Sequence, residues 1–232
     1  MPPILRRRSW PWQTAILPNA SPRTARPTPK ECRLRTGLCR SSSEASPAVT
    51  ESRAIEAAKR LRKGELIAYP TEAVWGIGCD PFNREAVYRL LRLKRRPVDK
   101  GLLLVAAGIE QVGELLTHLT DDQIAKLRST WPGHITWLVP DPDRQYPEWI
   151  RGEHSAVAIR VSDHPVVREL CVAFGGPIVS TSANLAGEPE FRSIEEVRRQ
   201  FGADIGCIVE GELGGQGKPS EIRDLVTGER IR

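Results

Sequence analysis

The side chains that could do chemistry in this 232-residue chain fall into five segments, three of them suited to anions. Residues 69–80 (YPTEAVWGIGCD) end a strand-like run at Pro70, then follow it with the polar pair Thr71 and Glu72 and two glycines. Polar groups at a strand end can face a ligand, and glycine permits close backbone approach. An ordinary strand–turn–strand, with Thr71 capping a backbone N–H, fits the same residues. Residues 94–100 (KRRPVDK) place four cations around a proline. They fit a polyphosphate clamp, with Pro97 ending a helix so that Lys94 and Arg96 lie close together. They equally fit a solvated basic helix end.

Residues 178–184 (IVSTSAN) put short hydrogen-bonding side chains where an apolar strand runs out. Alternation would set Ser180, Ser182 and Asn184 on one face, suited to carboxylate or phosphate oxygens; a hydroxyl-rich turn is the other reading. In residues 156–161 (AVAIRV), Val157, Ile159 and Val161 share one face and Arg160 shares the other with two alanines. That makes a shallow floor with one cation for a carboxylate, or an Arg on an exposed strand. Residues 214–220 (GGQGKPS) look like a Walker phosphate loop but fail its spacing: Glu212 stands where the first Gly belongs and Pro219 follows Lys218. ATP, if bound, is held without a standard nucleotide loop.

Other chemistries find no support. The four histidines show no metal-ligand spacing, and the five cysteines form no C-x-x-C pair and no disulfide framework. A reducing cytoplasm is the plain expectation. No apolar run approaches the roughly 20 residues that span a bilayer, so no membrane partner is expected. The net charge of +5 invites a nucleic-acid reading, but residues 1–47 carry +7 and leave −2 for the remainder.

The elements that must position these segments begin near residue 50. Ile55, Ala58 and Leu61 recur at helical spacing, and residues 65–70 read as a buried strand. Asn83 caps a helix with Ala86, Val87, Leu90 and Leu91 on its apolar face. Strands are expected at residues 102–106, 135–139, 156–161, 177–181, 205–209 and 221–225. Helices are expected around residues 112–116, from Asp121, over 165–174 and over 193–201. Intermixed strands and helices predict one α/β domain with a mixed sheet. Residues 1–47 hold eight of the 19 prolines and no apolar period, and read as a disordered basic, Pro-rich extension. A transit peptide, an RNA-touching arm and an extension outside the natural product all fit it. Met1 is the sole methionine, which favours the last.

In order, YPTEAVWGIGCD, LKRRPVDKG, WPGHITWLVP, AVAIRVSDHP, IVSTSANLAG and KPSEIRDLVTG resemble the YrdC/TsaC family, the threonylcarbamoyl-AMP synthases, in its short single-domain form. The resemblance implies a YrdC-like catalytic domain over residues 50–232, with a twisted mixed parallel/antiparallel sheet around a positively lined cavity. It implies a nucleotidyltransferase that condenses L-threonine, bicarbonate and ATP to threonylcarbamoyl-adenylate and pyrophosphate, for modification of tRNAs that read codons beginning with adenine. By the same resemblance Thr71, Arg160 and Ser180 hold L-threonine. Lys94 and Arg96 act on the ATP phosphates, and Ser182, Asn184 and Ser220 line the nucleotide part. No tightly bound cofactor is implied; Mg2+ arrives with ATP. Downstream threonylcarbamoyl-transferase proteins are the implied partners, with weak binding of tRNA or double-stranded RNA left open. The rival readings are a non-enzymatic RNA-binding module and a carbamoyl transferase with another acceptor.

Overall fold

A computed structural model describes residues 47–232; the expectations for residues 1–46 lie outside the described residues. Seven α-helices are described: α1 (Pro47–Arg62), α2 (Arg84–Lys94), α3 (Gly113–Leu116), α4 (Asp121–Thr130), α5 (Glu148–Arg151), α6 (Pro165–Phe174) and α7 (Ile194–Phe201). The strands are β1 (Ile67–Pro70), β2 (Trp75–Gly78), β3 (Leu103–Ala106), β4 (Ile135–Pro140), β5 (Ala156–Val161), β6 (Ile178–Ser182), β7 (Cys207–Ile208) and β8 (Glu221–Asp224).

The strands form a single sheet in the order β7-β1-β2-β6-β3-β5-β4-β8. Pairs β1–β7, β3–β5 and β4–β8 are parallel and the other four antiparallel, so the sheet is mixed as expected. Both faces are covered. Leu104, Ala106, Ile159 and Val179 pack on one side with Val87, Leu90 and Leu91 of α2. On the other, Ile67, Tyr69, Val105 and Ile178 pack with Ala54, Ala57 and Leu61 of α1 and Val167 and Leu170 of α6.

Local chemistry sets the helix ends. Asn83 Oδ1 accepts from Ala86 N at 3.0 Å, and Thr120/Gln123 and Ser193/Glu196 form reciprocal capping boxes. Pro165 starts α6, where its missing N–H costs nothing, and Gly175 ends it at φ 86°.

Three expectations change. Ile55 is 44% exposed, and α1 instead buries Ala54, Ala57, Ala58 and Leu61. These stand at i, i+3, i+4 and i+7 on one stripe, which Ile55 misses by about 100°. Helix α2 ends before Pro97, because Arg95 adopts φ 52° and its N–H turns back to Arg92 O. The one-turn α5 had no sequence signal beyond Pro147 before it. Glycines 76 and 78 do allow close approach, but to protein atoms. A Cβ on Gly78 would lie 2.5 Å from Val179 O, and one on Gly76 would lie 3.3 Å from the Tyr69 ring.

Candidate functional site

One face of the sheet carries the polar ends. Register places Gly76 opposite Ser182, Leu103 between Ser180 and Ala158, and Val105 beside Arg160. Directly paired residues share a face. Beyond the α1/α6 cover, this face therefore lays Ser180, Ser182 and Arg160 around one hollow. The hollow is a cavity of about 190 Å³. Thr71, Arg96, Arg160, Ser180, Ser182 and Ser220 all line it.

At one end Arg160 Nη1 donates to Glu72 Oε1 at 2.5 Å, and both residues are buried (6% and 8% exposed). Ser162 Oγ donates to the same carboxylate oxygen at 2.6 Å. Burial would push the Glu72 carboxyl up, but the charge of Arg160 and the hydrogen bonds from Arg160 and Ser162 together hold it at about 2. Thr71 Oγ1 donates to Val74 O at 2.7 Å, which spends its proton and leaves its lone pairs to accept.

The other end is set by Arg96, Arg232 and His134 beside Ser220. Arg96 Nη2 donates to Gly101 O at 3.0 Å and Arg232 Nη2 donates to Ser220 O at 3.1 Å. Among the described residues neither arginine makes a salt bridge. Burial lowers the Arg96 pKa, and the Arg232 charge lowers it further. Two guanidiniums that repel each other at a cavity wall are suited to an anion. The lining is not uniformly cationic: Glu72 and Glu190 belong to it as well.

Lys94 and Asn184 stand behind the wall rather than on it. Lys94 is 3% exposed, and its ammonium donates to Asn184 O and Asn184 Oδ1 at 3.0 Å each and to Ser182 O. Ser182 Oγ donates to Asn184 Oδ1 at 2.7 Å, and Asn184 Nδ2 donates to Glu188 O at 2.6 Å. Alternation fails for Asn184 because β6 ends at Ser182 and the chain turns. Its amide faces Lys94 instead of continuing the row.

Residues 210–220, which hold the failed phosphate-loop motif, run across the Thr71–Glu72 end as a strap. Gly214 N donates to Thr71 O at 3.0 Å and Gln216 N to Glu72 O at 2.8 Å. His164 Nε2 lies 3.0 Å from Glu212 O. Burial lowers the His164 pKa, and because Glu212 O can only accept, Nε2 carries a proton and donates to it.

Sequence reasoning missed Glu72 as an individual site residue, together with His134, Thr181, Glu190 and Arg232. Glu72 had a signal, its place beside Thr71 at a strand end. Arg232 had none, since only the return of the chain alongside Ile222 brings it to the cavity. Among the described residues, no group of three or more His, Cys, Asp or Glu side chains could hold a metal ion, and no helix is long and apolar enough to cross a membrane. Among the described residues, Cys79, Cys171 and Cys207 form no disulfide.

A mixed sheet with this cavity and these motifs defines the class. The sequence profile of a family described as telomere recombination (Sua5/YciO/YrdC) matches residues 59–232, and the chain belongs to that family. It is 53% identical over 176 residues to the threonylcarbamoyl-AMP synthase of Cellvibrio japonicus (strain Ueda107), covering 76% of this chain and 93% of that protein. With the Marinobacter nauticus protein of the same name it shares 58% identity over 169 residues, covering 73% and 89%. The crystal structure of P. abyssi Sua5 complexed with L-threonine superposes with a TM-score of 0.70 at 32% identity, covering 76% of this chain. The present chain spans 52% of that longer one. E. coli YciO shares the fold, with a TM-score of 0.66 at 24% identity over 75% of this chain and 84% of that one.

Proposed function

We propose that this protein is a threonylcarbamoyl-AMP synthase, condensing L-threonine, bicarbonate and ATP into threonylcarbamoyl-adenylate and pyrophosphate. The observation that carries this reading is the polarity of one cavity. A buried Arg160–Glu72 pair with Thr71 and Ser180 forms an end fit for an amino acid. Arg96 and Arg232, without salt bridges, form an end fit for phosphate. The names of the Cellvibrio and Marinobacter relatives and the threonine complex of P. abyssi Sua5 support it.

The cavity volume of about 190 Å³ falls below the roughly 300–1,000 Å³ of drug-sized sites. It suits the amino acid, with the nucleotide extending past Ser182 and Ser220. The ammonium of threonine gives up a proton, the free amine attacks bicarbonate, water is lost, and the resulting carbamate attacks the α-phosphate and expels pyrophosphate. The substrates supply the nucleophile, so the protein's part is placement and charge. Arg96 neutralises charge that grows on the phosphates. Lys94 adds its charge from behind, through the Ser182–Asn184 turn that it fixes. Magnesium is carried in with ATP by phosphate oxygens and water.

The catalytic unit in this reading is residues 50–232, and residues 1–47 take no part in catalysis. The adenylate then passes to transferase proteins that modify adenosine in tRNA, in the cytoplasm; weak contact with tRNA or double-stranded RNA belongs to the same proposal. Incubation with ATP tests the core of it. Pyrophosphate release should require both threonine and bicarbonate, and release independent of either would overturn the assignment.

A further inference from the structure

The buried pair that lines the amino-acid end is incomplete on both sides. Glu72 uses Oε1 for both Arg160 and Ser162, while Glu72 Oε2 and Arg160 Nε are buried with no hydrogen-bond partner. A buried polar atom without a partner is costly, more so when charged, and native structures rarely keep one without a use. Here there are two, of opposite character: one acceptor on a carboxylate and one donor on a guanidinium. Both belong to residues of the cavity wall, with the two atoms themselves covered, so a ligand reaches them by a shift of these side chains. No single simple anion or cation satisfies both. The head of an α-amino acid does, because it presents a carboxylate and an ammonium two bonds apart.

We propose that Glu72 and Arg160 together read the zwitterionic head of the substrate, Arg160 taking the carboxylate and Glu72 the ammonium. Glu72 is then the residue that makes the site demand an amino group, which no assignment of Thr71, Arg160 and Ser180 alone provides. An Arg beside hydroxyls accepts any 2-hydroxy acid of the right shape. The carboxylate beside it disfavours such a ligand, because a hydroxyl offers it one neutral hydrogen bond where an ammonium offers a charge-assisted one. The pair and its ligand each carry zero net charge, so binding leaves no uncompensated ion in the cavity. The inference rests on the amino-acid reading of this end.

The test is a binding titration with three probes: L-threonine, the 2,3-dihydroxy acid in which a hydroxyl replaces the amino group, and the amino alcohol that lacks the carboxylate. In the wild-type protein threonine should bind at least about tenfold tighter than either analogue, the loss expected when a charge-assisted hydrogen bond is missing. In Glu72→Gln threonine should weaken by about tenfold or more, while the dihydroxy acid keeps its affinity; Glu72→Asp should restore part of the loss. Wild-type protein that turns over threonine yet binds the dihydroxy acid as tightly would overturn the role of Glu72 and leave the synthase reading standing. Wild-type protein that neither binds threonine nor releases pyrophosphate with it would overturn both. The analogue series on wild-type protein decides the matter even if Glu72→Gln fails to fold.

Discussion

The ammonium of Lys94 is enclosed by Asn184, whose main-chain and side-chain oxygens each lie 3.0 Å away. Burial, and after it the charge of Arg96, brings this group from 10.5 down to about 8, while Glu190 pulls the other way. The folded state therefore binds the proton less tightly than the unfolded chain. Between pH 8 and 10.5 the unfolded state holds more protons, so this group adds stability as pH rises through that window. Chemical denaturation at stepped pH should show wild-type protein gaining on Lys94→Met from pH 8 upward. A difference that stays flat would mean that Lys94 does not titrate there.

The Glu72–Arg160 pair gives the acid-side counterpart. The Glu72 carboxyl is held at about 2 against an ordinary 4.5. Its contribution is complete above pH 4.5 and is lost as pH falls toward 2, where the folded state takes up the proton. Glu72→Gln should cost about 3 kcal/mol at pH 7, the low end for a broken buried pair because the cavity can admit water. That gap should narrow on acidification through this window; the readout is the denaturation midpoint of the two proteins at each pH. An unchanging gap would refute the linkage.

Gly214 lies against Glu72 by backbone. A Cβ there would sit 2.9 Å from Glu72 Cα and 3.3 Å from Glu72 O, neither of which can move as a side chain would. Gly214→Ala should lift the strap and break the Gly214 N to Thr71 O bond. The strap carries little buried surface, so the melting temperature should move by no more than a few degrees. The KM for threonine should rise several-fold. Unchanged kinetics would show that the strap has no influence on the site.

Side-chain selection by the amino-acid end follows from what it can contact. Serine differs from threonine by one methyl, worth about 1–3 kcal/mol in an apolar pocket. Valine lacks the hydroxyl and would leave a polar partner unpaired, which costs more when that partner is buried. Pyrophosphate release should therefore rank threonine, then serine, with valine far behind. Arg160→Ala should depress all three alike, since each presents the same carboxylate. Equal use of valine and threonine would remove the threonine assignment.

Sequence alone determined the elements and marked several of the polar residues that line the cavity. The hydrophobic periods of Val157, Ile159 and Val161 and of Val87, Leu90 and Leu91, and the caps at Asn83 and Ser193, are local signals, read within a turn or a pleat. Six of the eight expected site residues line one cavity, five of them within or next to strands and Arg96 just past α2. Tertiary structure decided the rest. The strand order β7-β1-β2-β6-β3-β5-β4-β8 sets Glu72 against Arg160, 88 positions later, and brings Arg232 to Arg96. It also turned Lys94 inward, where a cation expected to meet phosphate is spent on Ser182 and Asn184. Pairings of this kind depend on register across distant strands and on burial, and neither is encoded in the spacing of neighbouring residues.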